Sequence, residues 1–386
     1  MTDTYLPITN TFIYDEIKYL KTYEYLFFCK NIENQEVFPI PKEKLIKLPF
    51  YAFLKNKYYY EKKNSKEFFL DITKPRFDFL LWGYFKKQLL PLIKKHEVQL
   101  IQTHFGTGGI AFLRLKKELG LPLVTFFYGY DVSRVQVQQP KLYKKLFKEG
   151  DLFLTESHFL AEKLKQMGCP EEKLKVLYQG IDLEDFKFNP KSLKKGEKAI
   201  LLIVGRFEEK KGIKYAIEAF AQSLEKHPNM ELKIMGEGVL RKEIETLIQE
   251  KKLQEKVILL GLQPYQTLIK EMDNCHIFML PSVTAKDGDT EGQGTVFIQA
   301  SAMGKPILST NHNGIPQVVI DGKNGFLAPE RDAKALSKHL NYLIEHPQEW
   351  KAMAAFGRKH VEKNFDIHAQ TRKLEKIYDE VLTKKT

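Results

Sequence analysis

Residues 199–212 read AILLIVGRFEEKKG, and this stretch decides the fold. Its first six residues are an unbroken apolar run, which is typical of a central strand in a parallel sheet covered on both faces. A loop that combines glycine with charge follows. Apolar residues then recur on one helical face, at Ile213, Ala216, Ile217, Phe220 and Leu224. A strand, a short loop and an amphipathic helix in this order predict one unit of a doubly wound domain.

The same alternation of strand and helix runs through most of the chain. Apolar stretches predict further strands at 98–103, 123–127, 152–155, 232–235, 257–260, 277–280 and 306–309. The length of 386 residues suits two domains. We therefore predict an α/β fold with two doubly wound, Rossmann-like domains that face a central cleft. A polar linker near residue 190 separates a first domain, 1–190, from a second domain, 191–365, and a C-terminal helix covers 366–386.

Composition and charge limit the possible functions. Hydrophobic residues make up 43% and charged residues 28% of the chain, which excludes a fibrous or wholly disordered protein. Lys and Arg number 61 against 49 Asp and Glu, a net charge of +12, so an anionic partner is expected. The three cysteines form no CxxC or Cys/His pattern, which favours a reducing, cytoplasmic setting. We expect neither a signal peptide nor a membrane span, because no suitable apolar run of about 20 residues is visible.

Residues 41–96 form a basic–aromatic segment. They contain 14 Lys and Arg against 5 Asp and Glu, a net charge of +9, together with 13 aromatic residues. One interpretation is a helical hairpin with its aromatics inside and its lysines outside. The other is a surface that touches anionic lipid headgroups, which would place the protein at the inner face of the membrane. Nucleic-acid binding is disfavoured because no recognised nucleic-acid motif accompanies the segment.

Several loops of the second domain follow strand ends and combine glycine with charge. In GRFEEKKG at 205–212, Arg206 and Lys211 stand between a strand and a helix. There guanidinium, ammonium and free backbone N–H groups suit a diphosphate. The loop MGEG at 235–238 is small enough for a flat ring to approach the backbone. The loop at 311–317 closes a strand and is either a plain turn or part of the site.

The loop at 287–295, DGDTEGQGT, is the most informative one. Two glycines spaced by one residue at a helix start expose several N–H donors to an anion or a sugar hydroxyl. Glu291 stands before these glycines as an acceptor, and Gln299 follows eight residues later. Asp287 and Asp289 also have the form of a metal-binding acidic pair. A solvated acidic turn is the better interpretation, and we expect no metal.

Together these loops resemble family 4 of the retaining glycosyltransferases, which have the GT-B fold. The resemblance is carried by GRFEEKKG at 205–212, MGEG at 235–238, LPSVTAKDGDTEGQGTVFIQASAMGKPIL at 280–308 and GIPQVVIDGKNGFLAP at 314–329. The first domain matches more loosely, through THFGTGG at 103–109, YGYD at 128–131 and QGID at 179–182. Residues 40–96 match no motif of the family.

The resemblance implies a retaining, metal-independent hexosyltransferase without a cofactor. It would move a sugar from a nucleotide-diphosphate sugar, expected to be a UDP-sugar, to a glycan or lipid-linked precursor of a surface polysaccharide. Arg206 and Lys211 would bind the donor diphosphate, and Glu291 would face the donor sugar. Further donor-binding positions are implied at Gly236, Glu237, Gly292, Gln293, Gly294 and Thr295. The C-terminal helix would cross back onto the first domain.

Two positions depart from the family pattern. The family has a second glutamate that accepts both ribose hydroxyls where this chain has Gln299, whose amide accepts from one hydroxyl and donates to the other. The family commonly has His-Gly, with the histidine on the donor sugar, where this chain has Tyr128 and Gly129. Tyrosine keeps a donor and an acceptor but is not a cation at neutral pH. His104 is a nearby candidate for contacting the sugar or the acceptor, and is otherwise a structural residue.

Two other functions stay open at this point. An epimerase of nucleotide sugars on the same fold would need carboxylates placed for acid–base work, and the first domain shows none by sequence. A catalytically inactive sugar-nucleotide-binding protein would fit the departures at Gln299 and Tyr128.

If the basic–aromatic segment binds anionic membranes, the full chain should sediment with acidic vesicles at low salt and be released at high salt. Each Lys or Arg near such a surface adds about 1 kcal/mol, and physiological salt screens this attraction over about 8 Å. Vesicles of neutral lipid are the control. Equal binding to both vesicle types, or binding to neither, would contradict the membrane hypothesis.

Overall fold

A computed structural model describes residues 2–5, 11–32, 35–36, 38–47, 87, 89–133, 135, 139 and 141–384. Most of the basic–aromatic segment, including all of 48–86, lies outside the described residues, so its interpretation stays a prediction. None of the described helices combines the length and apolar character needed to cross a bilayer.

Within the described residues, the strands build three parallel sheets. The strands are β1 Thr2–Tyr5, β2 Phe27–Ile32, β3 Leu45–Lys47, β4 Ile101–His104, β5 Leu123–Phe127, β6 Leu152–Thr155, β7 Leu174–Val176, β8 Ala199–Val204, β9 Met230–Met235, β10 Val257–Gly261, β11 Ile277–Met279, β12 Ile307–Thr310 and β13 Gly325–Ala328. The sheet orders are β1-β2-β3, β4-β5-β6-β7 and β10-β9-β8-β11-β12-β13.

Helices cover these sheets and connect their strands. They are α1 Thr11–Lys18, α2 Leu90–Lys95, α3 Gly106–Leu119, α4 Gly129–Val132, α5 Lys144–Glu149, α6 His158–Gln166, α7 Ile213–Leu224, α8 Arg241–Glu250, α9 Tyr265–Asn274, α10 Thr295–Ala302, α11 Ala333–Glu345, α12 Trp350–Asn364 and α13 Ile367–Thr383. The predicted α/β architecture is confirmed, whereas the domain boundaries at 190 and 365 remain predictions.

The second domain is organised around β8. Five of its six residues are buried, as the unbroken apolar run predicts. The strand order reverses at β8, which has β9 on one side and β11 on the other. Such a reversal is a topological switch point, where the loops after two neighbouring strands diverge and leave a crevice for a ligand. Here it brings the loop at 205–212 beside the loop that follows β11.

The first domain centres on β5, all five residues of which are buried. Residues 106–109, the end of the stretch THFGTGG, form the first turn of α3. Gly106 and Gly109 are needed there because any side chain would clash with the rings of Phe127 and Tyr143 or with Thr125. These glycines serve close helix–strand packing.

The sheet of β1, β2 and β3 was not anticipated. Strands of three to six residues that mix polar and aromatic side chains carry too little periodicity to be recognised. Its core, which includes Ile13, Phe27 and Cys29, is separate from the core around β5.

Helix α13 packs against the first domain after the chain has left the second. Leu374, Ile377 and Tyr378 share a buried cluster with Val124 and Phe126 of β5. This packing places α13 against the sheet of β4 to β7.

Asp131 ties together the loops after β4 and β5. Its buried carboxylate accepts hydrogen bonds from the backbone N–H of Gly106 at 2.9 Å and of Tyr128 at 3.0 Å, and from the Tyr143 hydroxyl at 2.7 Å. An acid in this position therefore holds two strand ends of the first domain at a fixed separation.

We expect Asp131→Asn to lower the free energy of unfolding by about 1–3 kcal/mol, because one of the three buried donors would then face an amide NH₂ group. Urea denaturation followed by circular dichroism measures the loss. Tyr143→Phe is the matched comparison, since it removes one hydrogen bond and leaves no donor opposed, and should cost about 1 kcal/mol. An Asn variant as stable as the wild type would contradict this role.

Candidate active site

The predicted site residues of the second domain meet at the switch point beside β8. Lys211 ends a short 3₁₀ turn, Glu209–Lys211, that Gly212 closes with a φ of 62°. A side chain at Gly212 would clash with the carbonyl oxygen of Pro281, so this glycine allows the loops after β8 and β11 to touch. The two loops that carry the predicted chemistry are therefore in direct contact.

Lys211 and Glu291 form a mostly buried ion pair between these loops. The Lys211 ammonium donates to the Glu291 carboxylate, and the two side chains are only 13% and 14% exposed. Burial alone would raise the pKa of Glu291. The charges of Lys211 and Lys210 and the hydrogen bond from Lys211 outweigh burial and lower that pKa to about 2. Glu291 is therefore a fixed anion at neutral pH.

A second cation, Lys210, was not singled out by the sequence. Its ammonium lies 3.2 Å from a carboxylate oxygen of Asp289 and is 11% exposed. Asp289 is thus ion-paired with a lysine. Among the described residues, no three His, Cys, Asp or Glu side chains come together as a metal-holding group.

Arg206 is more exposed than the two lysines of the same loop. Its guanidinium is 51% exposed and forms an ion pair with Glu208 at 2.7 Å. The structure does not bring it into contact with Lys211. The neighbouring loop is nevertheless close, because the Phe207 N–H donates to the Glu237 carbonyl at 2.8 Å and a side chain at Gly236 would clash with Gly205.

The glycine loop, which we define as residues 291–295, lies against the first domain. The backbone N–H of Gln179 donates to the Gln293 side-chain oxygen at 3.2 Å, and the Thr295 hydroxyl donates to the Gln179 side-chain oxygen at 2.7 Å. Gly294 has a φ of 78° and precedes helix α10. Gly129 of the first domain packs directly on the backbone of Thr290 and Gly292, so the cleft is closed at this point.

The loop at 311–317 supports the glycine loop from behind. His312 Nε2 lies 2.8 Å from the Thr290 hydroxyl and accepts from the Glu291 N–H at 3.2 Å. The Asn313 amide donates to the Glu291 carbonyl at 3.0 Å. This loop is therefore part of the site rather than a plain turn.

His104 and Tyr128 come together at neighbouring strand ends of the first domain. His104 Nδ1 lies 2.8 Å from the Tyr128 hydroxyl, and both side chains are buried. Burial lowers the pKa of His104 to about 3, so its imidazole is neutral at physiological pH. His104 stands behind Tyr128 and orients it.

Glu156 and Gln179 are two site residues that sequence reasoning missed. Glu156 follows β6 directly, as His104 ends β4 and Tyr128 follows β5, and its carboxylate accepts from the Gln179 amide. Glu156 directly follows the strand predicted at 152–155. That position could have indicated a site residue, since ligands bind at the carboxyl ends of parallel strands.

Gln299 is buried in α10, and its side-chain oxygen has no hydrogen-bond donor among the described residues. A buried oxygen without a partner costs about 1–3 kcal/mol. A ligand hydroxyl at this position would remove that cost.

Family models match both halves of the chain. Residues 184–360 match the model described as Glycosyl transferases group 1, and residues 57–185 match Glycosyltransferase Family 4. The second match includes residues 57–96, where the sequence analysis found no motif of the family. A glycosyltransferase of Escherichia coli (strain K12) assigned to colanic acid biosynthesis, WcaL, is 36% identical over 278 residues, which cover 70% of this chain and 68% of that protein. The chain belongs to glycosyltransferase family 4.

Further comparisons agree with this membership. The amylovoran biosynthesis glycosyltransferase AmsK of Erwinia amylovora is 35% identical, with 76% of this chain and 74% of that protein covered. The crystal structure of Anabaena Alr3699/HepE in complex with UDP and glucose matches with a TM-score of 0.76 at 19% identity, covering 98% of each chain. The fold is GT-B, and the family 4 enzyme uses nucleotide sugars as donors.

The buried oxygen of Gln299 generates a prediction about nucleotide affinity. If Gln299 contacts the ribose, Gln299→Glu should tighten nucleoside diphosphate binding about fivefold to thirtyfold, because a charge-assisted bond is about twice as strong as a neutral one. Gln299→Ala should weaken binding. Calorimetric titration of both variants measures the change. A Kd that shifts less than about twofold in both would show that Gln299 only packs within α10.

Proposed function

We propose that this chain is a retaining, metal-independent hexosyltransferase that passes a sugar from a UDP-sugar to a glycan or lipid-linked precursor of a surface polysaccharide. The observation that carries the proposal is the mostly buried Lys211–Glu291 pair at the switch point of the second domain. The relatives named for colanic acid and amylovoran biosynthesis support the acceptor class, and the UDP complex of the structural neighbour supports the nucleotide.

The leaving diphosphate needs positive charge in a site with little water. Lys210 and Lys211 are both mostly buried, and the first N–H groups of α10 lie at the end of the glycine loop. Arg206, being half exposed, can swing onto an arriving phosphate by giving up its pair with Glu208. Charges fixed in a dry site stabilise a developing phosphate anion without reorganisation of solvent.

The transfer would proceed on one face of the donor sugar. The bond between the anomeric carbon and the diphosphate oxygen breaks, and the acceptor oxygen forms its bond from the same side. The acceptor proton passes to the departing phosphate oxygen. Glu291 is then an acceptor for donor-sugar hydroxyls, since an anion held by Lys211 does not serve as a general acid.

Closure of the cleft would protect the donor from water. Gly314 packs on Ser157, and the N–H of His158 donates to the Gln317 side chain at 3.1 Å, so the loop at 311–317 touches the first domain as the glycine loop does. A closed site of this kind prevents hydrolysis of an activated sugar. The net charge of +9 in residues 41–96 supports a lipid-linked acceptor at the inner membrane face.

An epimerase and an inactive sugar-nucleotide binder are separated from the transferase by one experiment. The purified chain is incubated with a panel of UDP-sugars, first without and then with a polysaccharide-precursor acceptor. A transferase gives new glycoside only with the acceptor and slow hydrolysis without it. Conversion of the donor sugar without acceptor would indicate an epimerase, and tight binding without turnover would indicate the inactive binder.

Lys211→Ala should reduce transfer at least about tenfold, because it removes a charge-assisted contact worth about 1.5–3 kcal/mol in a partly desolvated site. Lys214→Ala is the matched control, since Lys214 lies one turn away and its side chain is 66% exposed. Initial rates of transfer and the circular dichroism spectra of both variants are compared with wild type. A Lys211 variant with activity within about twofold of wild type would overturn the assignment.

A further inference from the structure

Glu156 is a buried acid in the cleft between the two domains, and the transfer mechanism does not use it. It follows β6 in the first domain and is 5% exposed. Its carboxyl group reaches across to the glycine loop of the second domain. A side chain at Gly292 would clash with one Glu156 carboxyl oxygen, so only glycine leaves room for this approach.

The other carboxyl oxygen of Glu156 is held by Gln179. The Gln179 amide NH₂ donates to it, while the Gln179 side-chain oxygen accepts from the Thr295 hydroxyl at 2.7 Å. The Gln179 backbone N–H donates to Gln293 at 3.2 Å. The pair Glu156–Gln179 therefore contacts the glycine loop at Gly292, Gln293 and Thr295.

We propose that Glu156 and Gln179 form a latch that positions the glycine loop against the first domain when the cleft closes. Glu156 is a positioning residue in this view. It fixes the position of the loop that presents backbone N–H groups to the donor, and it acts through Gln179. The latch rests on the proposed transferase function only in the experiment that measures sugar transfer.

The charges around Glu156 make the latch sensitive to pH. Burial raises the pKa of Glu156 to about 8, and the nearby carboxylates of Glu291 and Asp131 add to the rise. The Lys210 ammonium and the hydrogen bond from Gln179 oppose it. At neutral pH the acid is mostly protonated in the closed cleft.

The sign of the pH effect follows from this raised pKa. In an open, hydrated cleft the pKa of Glu156 would return towards its ordinary value of 4.5, so closure takes up a proton. The closed form is then fully favoured below about pH 4.5 and loses its advantage as pH rises to about 8.

The first test uses amide hydrogen exchange of a peptide spanning the glycine loop, at about pH 7 and without substrate. We expect Glu156→Ala and Gln179→Ala to exchange about fivefold or more faster than wild type. Glu156→Gln should be protected at least as well as wild type, because it keeps an oxygen for the Gln179 amide and needs no proton to close. Glu162→Gln on the exposed side of α6 is the control and should change nothing. Equal protection in the wild type and both alanine variants would overturn the latch.

The second test compares kcat/KM of wild type and Glu156→Gln at about pH 6 and about pH 9. The ratio of wild type to variant should fall about threefold or more across this range, because only the wild type must take up a proton to close. A constant ratio would overturn the proposal. A wild type that transfers nothing from any UDP-sugar would count against the proposed function alone, since the exchange measurement decides the latch without a donor.

Discussion

Two backbone hydrogen bonds hold the two domains together where the chain passes from one to the other. The Ile181 N–H donates to the Phe365 carbonyl at 2.9 Å, and the Ile367 N–H donates to the Ile181 carbonyl at 3.0 Å. A side chain at Gly180 would clash with the Ile367 backbone, so glycine permits the approach. Both crossings of the chain between the domains therefore lie side by side, and this junction constrains how the loops of the two domains can meet across the cleft.

The cations of the cleft are each neutralised by a carboxylate of the same domain. Lys211 holds Glu291, Lys210 holds Asp289, and Arg206 holds Glu208. Without a partner, a buried ammonium would lose its proton or remain hydrated. The carboxylates therefore keep the positive charges in place before a diphosphate arrives. An incoming diphosphate then meets cations that are already largely desolvated, which costs less than desolvating free lysines.

The sequence predicts those parts of the molecule whose signal is local. The apolar run of β8, the buried face of α7 and the glycine–charge loops can each be recognised from a few adjacent residues, and Lys211 and Glu291 come from loops of this kind. The sheet of β1, β2 and β3 is too short to show a period. Glu156 and Gln179 are 23 residues apart, and their contacts with Gly292, Gln293 and Thr295 span more than 110 residues. No spacing rule connects residues that meet only after two domains have closed.

A chain of hydrogen bonds behind Tyr128 determines whether its hydroxyl can donate a hydrogen bond where the family has a histidine. The Tyr378 hydroxyl donates to the Gln102 side-chain oxygen at 2.5 Å, so the Gln102 amide NH₂ points towards Glu16 and towards His104 Nε2, 3.4 Å away. An amide donor facing Nε2 makes that nitrogen the acceptor of the neutral imidazole, and the ring proton then sits on Nδ1. His104 Nδ1 therefore donates to the Tyr128 oxygen, which leaves the Tyr128 O–H free to donate to a further partner. The substitution thus removes the ability to carry a positive charge and keeps a hydrogen-bond donor at this strand end.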